Sequence, residues 1–485
     1  MKKQAFNPFL PSYEYIPDGE PYVFDNRVYV YGSHDCFNGT EYCMNDYVCW
    51  SAPVDDPGNW RYEGLIYKKD QDPGNRDGKR CLFAPDLQKG PDGRYYLYYA
   101  VNGLSVMSVA VCDSPAGRYE YYGAVHYPDG GVIGELPGDS REFCQFDPGV
   151  LVDDDGRVYL YSGIAPRKPP AGQDDSRGRY HKGAYLMELE QDMLTVKRGP
   201  ELIFRRAGEA GGSGFEGHEF FEASSLRKVQ GKYYFIYSSI NGHELCYAVS
   251  GRPDGGFCYG GVIISNGDIF LKGRRAEDAL YYTGNNHGSI VEIQGQWYVF
   301  YHRQTNLHQF SRQACAEPIS FRADGSIPQV EMTSSGLNGG ALAGHGEYEA
   351  RIACNLYLPG DLMFYPHNRR LLPEGRPYMT QDGGDREDGP NQHIANFRQG
   401  AVAGFKYFQI QDAASITITV RGDAKGLVQV SALPEGKAAA NLCIAPQGRD
   451  WQEFSAPIAL ETGKTALYFS FRGSGSFDFL KFRLE

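Results

Sequence analysis

Short tyrosine-rich runs, each preceded by a tight-turn dipeptide, recur along the first two thirds of the chain. The runs consist of residues that favour β-strands, and the Asp-Gly and Asn-containing dipeptides before them supply the positive φ angles of two-residue hairpin turns. The pattern occurs five times, over residues 25–31, 92–98, 155–161, 230–236 and 294–300. The aligned tyrosines are 67, 63, 75 and 64 residues apart and are Tyr29, Tyr96, Tyr159, Tyr234 and Tyr298. A repeat of this period predicts a five-bladed β-propeller with long loops between its strands.

The last third of the chain follows a different pattern. The repeat stops after Pro328, and the Ser/Gly/Asn-rich residues 334–340 predict a linker. Beyond it, runs such as 415–420 and 466–471 alternate with a period of two, which is typical of a β-sandwich. We therefore predict an all-β protein with two domains, a five-bladed propeller over 1–333 and a β-sandwich over 334–485. The acidic run 382–388 is interpreted as a solvated loop.

One ionisable residue precedes each copy of the repeat at nearly the same distance. It lies 10 to 12 positions before the aligned tyrosine, and the five residues are Asp18, Asp86, Asp147, Glu222 and His287. Taken singly, an Asp beside Pro or Gly is by default a turn residue, and a lone histidine is more often part of the core. Since the first strand of each propeller blade lines the central channel, the shared spacing instead favours a convergent site.

Composition excludes several classes of partner and indicates a compartment. The formal net charge of -12 repels phosphate backbones and anionic lipids, so neither nucleic acid nor membrane is expected as a partner, whereas a neutral sugar is compatible. No apolar stretch approaches the roughly 20 residues that span a bilayer. The N-terminus lacks the apolar segment of a signal peptide, and eleven cysteines are scattered singly, which together predict a cytoplasmic protein with reduced thiols. The sequence leaves the oligomeric state open.

A cluster of acids without a phosphate-binding glycine loop indicates either metal binding or acid–base chemistry. Cleavage of a glycosidic bond needs two carboxyl groups in opposite protonation states. Glu222, flanked by Phe220, Phe221 and Ala223, is the natural acid because an apolar setting raises the pKa of a carboxyl. Asp18, in a Gly-containing turn near water, is the natural base. Asp147 adds a like charge that keeps Glu222 protonated, and Asp86 holds structure or a sugar hydroxyl.

Five motifs in register carry a resemblance to a known family. They are Pro17-Asp18-Gly19, Phe83-Ala84-Pro85-Asp86, Phe146-Asp147-Pro148, Phe221-Glu222-Ala223-Ser224-Ser225 and Asn285-Asn286-His287-Gly288-Ser289. Over about residues 7–332 the sequence resembles glycoside hydrolase family 43. Two departures affect the pocket wall, since the base more often follows Ala and precedes Pro, and Phe83 stands where the family often has Trp.

The resemblance implies an inverting enzyme on a five-bladed propeller. Asp18 matches the general base, Asp147 the residue that tunes and orients the acid, and Glu222 the general acid. His287 matches a position near the axis that contacts a bound calcium or its waters, which makes Ca²⁺ a candidate structural ion. Arg303 resembles a substrate-contacting arginine, with simple packing as the alternative. His34 is a candidate for lining the pocket, with a surface-loop position as the alternative.

The C-terminal third is similar to family 6 carbohydrate-binding modules. The likeness rests on residues 450–454 and 477–479, with Asp478 where such modules often place an Asn in their ligand cleft. Trp451 is either a sugar-stacking platform or a core residue. Two roles stay open for this domain, namely independent sugar binding or support of the propeller and its pocket.

The leading hypothesis is an inverting, exo-acting hydrolase that releases a pentose from plant-derived oligosaccharides. The resemblance favours α-L-arabinofuranosidase or β-xylosidase activity and does not choose between the two sugars. The alternative is a non-catalytic, lectin-like propeller that uses its acids for metal and its tyrosines for stacking. A purely structural scaffold would explain the repeat but not the phased acids.

Overall fold

The protein is built of β-strands joined by loops and a few 3₁₀ turns. The computed structural model describes residues 3–136, 139, 141–166, 182–360, 375–387, 389 and 391–485. The 3₁₀ turns of this part are Lys69–Gln71, Pro73–Asn75, Asn266–Asp268, Leu271–Gly273, Ala276–Asp278, Gly336–Asn338 and Ala350–Ile352. None of the helical segments in these ranges has the length and apolar content needed to cross a bilayer.

Five antiparallel sheets follow one another along the first two thirds of the chain, each a meander of consecutive strands. Blade I comprises β1 (Glu20–Phe24), β2 (Arg27–Tyr31), β3 (Tyr47–Pro53) and β4 (Arg61–Tyr67). Blade II comprises β5 (Leu82–Lys89), β6 (Tyr95–Val101), β7 (Met107–Cys112) and β8 (Glu120–Ala124). Blade III comprises β9 (Gly149–Val152), β10 (Val158–Ser162), β11 (Gly183–Leu189) and β12 (Val196–Arg205). Blade IV comprises β13 (Phe220–Val229), β14 (Lys232–Ser239), β15 (Glu244–Ser250) and β16 (Cys258–Ser265). Blade V comprises β17 (Ile290–Ile293), β18 (Gln296–Arg303) and β19 (Gln313–Ile319).

The first strands of the blades face one another around a common axis. Strand β1 contacts β5 and β17, and β9 contacts β5 and β13. A bridge between Gly19 and Gly288 joins blades I and V. The repeated tyrosines lie on the second strand of each blade, directly after the predicted hairpin turns. The predicted five-bladed propeller is confirmed. The repeated second strands are buried along almost their whole length, as expected for apolar runs that are covered on both faces of a sheet.

The N-terminal segment closes the ring against β19. The Phe9 N–H donates to the Ala314 carbonyl at 3.2 Å. The buried Asn7 side chain makes three further hydrogen bonds to the same strand. Its Nδ2 donates to Ala316 O and to Glu317 Oε1, at 2.8 Å each, and its Oδ1 accepts from Ala316 N at 3.0 Å. Residues some 300 positions apart in the chain are thereby fastened together.

A sheet-rich C-terminal domain follows the propeller, as predicted. Strand β19 ends at Ile319 and the next strand begins at Leu342. The strands are β20 (Leu342–Ala343), β21 (Gly346–Glu349), β22 (Asn355–Tyr357), β23 (Tyr378–Gln381), β24 (Gln392–Arg398), β25 (Val402–Ile410), β26 (Ser415–Ser431), β27 (Ala438–Ile444), β28 (Gln452–Pro457) and β29 (Gly463–Leu484). The long strands β26 and β29 pair antiparallel from Ile416–Leu484 to Ser431–Tyr468 and connect the other strands of the domain.

The propeller and the C-terminal domain share one hydrophobic core. A single cluster of buried side chains includes Ile263 and Tyr301 of the propeller together with Leu356 and Phe405 of the C-terminal domain. Within this interface the Lys406 ammonium is buried between Asp268 Oδ2 at 2.9 Å and Glu331 Oε2 at 3.0 Å. The two parts are therefore packed against each other rather than tethered.

The acidic run 382–388 is not the solvated loop that the sequence predicts. Asp385 and Arg386 contact blade I of the propeller, while Asp382 pairs with Arg421 inside the C-terminal domain. Asp388 lies outside the described residues. A run of charges predicts exposure only while each charge lacks a partner, and here the partners come from distant parts of the chain.

Trp451 and Asp478, the two candidate sugar-binding residues of the C-terminal domain, are partly exposed and are joined by Arg421. The Arg421 guanidinium lies 4.3 Å from the centre of the Trp451 ring and donates from Nε to Asp478 Oδ2 at 3.0 Å. Arg421 therefore covers one face of the ring and holds the carboxylate.

Substituting Asn7 tests the closure of the ring. We expect Asn7→Ala to lower the free energy of unfolding by about 2–4 kcal/mol, because each buried polar group left unpaired costs roughly 1–3 kcal/mol. Urea unfolding followed by tryptophan fluorescence measures the change. Asn59→Ala is the matched control, since Asn59 is exposed and its side chain makes no hydrogen bond within the described residues. Equal unfolding midpoints for the two variants would contradict this account of ring closure.

Candidate active site

Three carboxylates converge at the axis where the first strands begin. Asp18 and Asp147 lie just before β1 and β9, and Glu222 lies near the start of β13. The Ala223 N–H donates to Asp147 Oδ2 at 3.2 Å and so ties blade IV to blade III beside Glu222. Asp18, Asp147 and Ala223 have φ angles of 57°, 41° and 70°. Left-handed backbone at non-glycine residues is uncommon and concentrates at functional sites, and here it turns the chain toward the axis.

Asp18 is held by a buried arginine. Arg312, just before β19, donates from Nη1 to Asp18 Oδ1 at 2.9 Å. The same guanidinium is bidentate to Asp35, with Nε and Nη2 at 2.9 and 3.0 Å from its two oxygens. Burial opposes ionisation of Asp18, but the Arg312 charge and the nearby His302 hold its pKa well below the usual range. Asp18 is therefore a carboxylate at neutral pH.

His302 contacts both the backbone and the carboxylate of Asp18. Its Nδ1 lies 3.3 Å from the Asp18 backbone nitrogen and 3.3 Å from Asp18 Oδ1, and its Nε2 lies 2.9 Å from the Asn285 carbonyl. Because a carbonyl oxygen can only accept, Nε2 carries a proton and donates to it. The ring is thereby fixed between Asn285 and the turn at Asp18.

The surroundings of Glu222 and Asp147 raise the pKa of these carboxyls, whereas those of Asp18 lower it. Burial and the charge of Asp18 raise the pKa of Glu222 to about 8. Burial, followed by the charges of Glu222 and Asp18, also raises the pKa of Asp147. Among the described residues no hydrogen bond or ion pair engages the Glu222 carboxyl, and the side chain is only partly buried. A proton therefore stays on this pair at neutral pH, and Glu222 can present it to a ligand.

His287 joins the cluster but does not build a calcium cage. Its Nδ1 lies 3.5 Å from Asp147 Oδ2, and burial lowers its pKa to about 4, so the ring is neutral. Calcium takes 6–8 oxygen ligands. Within the described ranges, the protein groups that could together hold a metal are His218, Glu244 and Cys246, which lie elsewhere. The side chains around His287 therefore do not fit a calcium ion held by protein donors.

The three other predicted site residues are buried and bonded elsewhere. Asp86 accepts from the Tyr22 hydroxyl at 2.6 Å and from the Val150 N–H at 2.6 Å. Both ring nitrogens of His34 are engaged, by Glu14 Oε1 at 2.9 Å and the Asp46 carbonyl at 2.7 Å. Arg303 donates to the carbonyls of Ala353 and Arg351 in the C-terminal chain, at 2.9 and 2.7 Å. No contact in the described part of the chain brings these three residues to the carboxylates.

Sequence reasoning missed Arg312 and Tyr42. The Tyr42 ring lies 4.7 Å from the Arg312 guanidinium and is partly exposed beside the carboxylates. Two arginines flank the last hairpin of the propeller, Arg303 at the end of β18 and Arg312 just before β19. The sequence shows both arginines but not which of them faces the axis.

Comparison with known proteins decides the family. The sequence profile of glycosyl hydrolases family 43 matches residues 18–327, well over half of the chain. The chain belongs to glycoside hydrolase family 43. It is therefore an enzyme that hydrolyses glycosides, and the lectin-like alternative is set aside.

Individual relatives extend this family 43 assignment. A "Xylosidase/arabinosidase" of Thermoclostridium stercorarium is 53% identical over 485 residues, which cover 100% of this chain and 99% of the relative. A family 43 β-xylosidase/α-arabinofuranosidase from a compost microbial metagenome, solved with xylotriose in a calcium-free form, is 28% identical, with a TM-score of 0.51 over 68% of this chain and 98% of that one. A family 43 arabinoxylan arabinofuranohydrolase from Bacillus subtilis, solved with cellotetraose, is 23% identical, with a TM-score of 0.50 over 98% of this chain and 96% of that one. The likeness to the Bacillus subtilis enzyme is one of fold, and it extends over both the propeller and the C-terminal domain.

Replacing Arg312 in this family 43 enzyme tests the electrostatics of Asp18. A lysine keeps the charge but cannot contact Asp18 and be bidentate to Asp35 at once. We expect Arg312→Lys to lower kcat/KM on an aryl glycoside by about 10–10²-fold, since a hydrogen bond to a charged group is worth about 1.5–3 kcal/mol. The acidic limb of the pH–rate profile should move to higher pH because the pKa of Asp18 rises. Arg303→Lys, a buried arginine on the same hairpin, is the control and should leave that limb in place. A shift of equal size in both variants would refute the assignment.

Proposed function

We propose that the protein is an inverting, exo-acting glycosidase that releases one pentose, α-L-arabinofuranose or β-D-xylose, from oligosaccharides. One observation carries the proposal. Within one cluster of side chains, the carboxyl of Asp18 is held ionised by Arg312, and that of Glu222 is held protonated by burial and by the like charge of Asp18. This is the pair of protonation states that glycosidic cleavage requires.

In the proposed reaction Asp18 is the general base. It takes a proton from a water molecule while the water oxygen attacks the anomeric carbon. Glu222 gives its proton to the leaving oxygen as the glycosidic bond breaks. After one turnover Asp18 carries a proton and Glu222 is ionised, and exchange with solvent restores both. Asp147 positions the acid through its bond with the Ala223 N–H, on the residue after Glu222.

The choice of a pentose is supported by the relatives. The 53% identical protein is named a xylosidase/arabinosidase, and the metagenomic structure was solved with xylotriose. The pocket residues described above give no reason to favour one pentose over the other, so we propose both as substrates. Sugar binding by the C-terminal domain stays a prediction.

A calcium ion at the axis also stays a prediction. The metagenomic family 43 structure was solved in a calcium-free form. His287 supplies a single nitrogen here, so water would have to provide most ligands of such an ion. No step of the proposed reaction uses a metal.

Glu222→Gln tests the role of the acid. A glutamine cannot donate a proton as a carboxylic acid does, so the loss should depend on how much help the leaving group needs. On an unactivated xylo- or arabino-oligosaccharide we expect kcat to fall by about 10²–10⁴-fold, the range that general acid catalysis contributes. On a 2,4-dinitrophenyl pentoside, whose leaving group needs no protonation, the loss should be much smaller. Asp18→Asn is the control and should lose activity on both substrates. Equal losses of activity on the two substrates in Glu222→Gln would refute the assignment of the acid. If the unmodified protein hydrolyses neither an α-L-arabinofuranoside nor a β-D-xyloside, the proposed choice of sugar is wrong.

The pH dependence of kcat/KM follows from the same two groups. Activity needs protonated Glu222, so it should fall as the pH rises through about 8, the pKa of that carboxyl. Activity also needs ionised Asp18, whose pKa lies below the usual carboxyl range, so the acidic limb should lie below the ordinary aspartate value of about 4. Initial rates on a p-nitrophenyl pentoside between pH 3 and pH 10, corrected for inactivation, measure both limbs. The alkaline limb should vanish in Glu222→Gln, and its persistence would assign it to another group.

A further inference from the structure

One loop of blade I forms a wall beside the catalytic carboxylates. This blade I loop, residues 36–46, leads from β2 to β3 and carries Tyr42 near its middle. The Tyr42 ring lies over the Arg312 guanidinium and meets the Phe310 ring edge-on at 4.8 Å. Its hydroxyl is within electrostatic range of Glu222. Tyr42 is thus a partly exposed aromatic side chain that touches the arginine on which Asp18 depends.

Internal bonds hold only part of this loop. Asp35 Oδ1 accepts from the Cys43 N–H at 2.9 Å, and Asn45 Nδ2 donates to the Asp35 carbonyl at 3.1 Å. Asn38 and Cys43 have φ angles of 58° and 60°, so the loop keeps two non-glycine residues in a sparsely populated conformation. A loop of this kind needs outside contacts to hold one shape.

The C-terminal domain supplies such contacts through Asp385. Its Oδ1 accepts from the Phe37 N–H at 2.5 Å and its Oδ2 accepts from Asn45 Nδ2 at 2.9 Å. One carboxylate thereby joins the two limbs of the blade I loop across 348 and 340 positions of sequence. The next residue, Arg386, donates from Nη1 to the buried Glu14 carboxylate at 2.5 Å and lies 2.8 Å from His34 Nε2. Asp385 and Arg386 therefore bind the chain on both sides of Asp35, at Phe37 and at His34.

The same segment also reaches the loop that carries Arg312. The Asn306 N–H donates to the Met379 carbonyl at 2.7 Å, and the Asn38 N–H donates to Ser311 Oγ at 3.1 Å. Residues 379–386 of the C-terminal domain thus touch both the blade I loop and the blade V loop that carries Arg312.

We propose that Asp385 is a positioning residue for the hydrolysis, and that it fixes the blade I loop so that Tyr42 forms an aromatic wall for the sugar in the catalytic pocket. The C-terminal domain is then part of the catalytic unit. The kinetic consequences of this proposal rest on the function proposed above. The contacts by which Asp385 holds the loop do not depend on the substrate.

The acidic run provides a matched control for the test. Asp382 lies three positions before Asp385, and its oxygens pair with Arg421 of the C-terminal domain at 2.8 and 2.9 Å. Asp382→Ala and Asp385→Ala remove the same atoms and the same charge. Of these two aspartates, only Asp385 contacts the blade I loop in the described part of the chain.

Kinetics on the full-length variants test the catalytic consequence. We expect Asp385→Ala to raise KM on a pentoside by about tenfold or more with a smaller change in kcat, and Asp382→Ala to leave both near the wild-type values. Asp385→Asn, which can still accept from the Phe37 N–H, should recover part of the loss. If Asp385 acts through the loop, the double variant Asp385→Ala/Tyr42→Ala should resemble Tyr42→Ala alone rather than show the product of the two effects. Independent, multiplying effects in the double variant would overturn the proposal.

Hydrogen–deuterium exchange tests the fastening without a substrate. Amides of residues 36–46 should exchange at least tenfold faster in Asp385→Ala than in Asp382→Ala, while the inner strands stay equally protected. Unchanged exchange in this loop would overturn the proposal whatever the kinetics show. If the wild-type protein cleaves neither pentoside, the proposed substrate fails, and the exchange measurement still decides whether Asp385 fixes the loop.

Discussion

The buried guanidinium of Arg312 is the contact on which the site depends. A charge removed from water is tolerated only when it is paired and hydrogen-bonded, and Arg312 meets this condition with two carboxylates, Asp18 and Asp35. Arg312 comes from blade V and both carboxylates come from blade I. The contact therefore crosses the seam at which the first and last blades meet, close to where Asn7 fastens the N-terminal segment to β19. The same pairing therefore joins blades I and V and keeps the base ionised.

The position of this one cation also separates the roles of three chemically similar groups. Asp18 receives the guanidinium and stays ionised, while Glu222 and Asp147 receive burial and like charge and keep a proton. Along the same axis, Arg227 pairs with Glu20 at 2.6 Å and lowers the cost of burying Asp86. There the two carboxyls are enclosed by protein, and Glu20 Oε1 has no hydrogen-bond partner among the described residues. Two features thus distinguish the catalytic acids Asp18 and Glu222 from the enclosed acids Glu20 and Asp86. They are which carboxyl contacts an arginine and which carboxyl lies at the catalytic site.

Sequence alone could predict the features that a repeat encodes and no others. The spacing of Asp18, Asp147 and Glu222 from the aligned tyrosines predicted their convergence, because equivalent positions of blades lie at equivalent distances from the axis. Arg303 and Arg312 could not be separated in this way, since the loop between them has no counterpart in the repeat. His34 was a candidate for lining the pocket or for a surface loop, but its partners Glu14 and Arg386 enclose it, and Arg386 is 352 positions away. Contacts of that separation leave no periodic signal, and the same holds for Asp385.

The shared core explains how a residue of the C-terminal domain can act on a catalytic loop. Positioning a side chain for catalysis demands about 0.5 Å of precision, which a module on a flexible linker cannot provide. Here buried side chains of blades IV and V and of the C-terminal strands form one cluster, and Lys406 is buried between two carboxylates at the same boundary. Separating the domains would expose that cluster and leave Asp268 without its buried partner. The attachment is therefore rigid, and rigidity is what allows the carboxylate of Asp385 to hold two backbone segments of blade I at hydrogen-bond distance. The two domains consist of separate sheets. The contacts of Asp385 and Arg386 nevertheless join them beside the catalytic carboxylates.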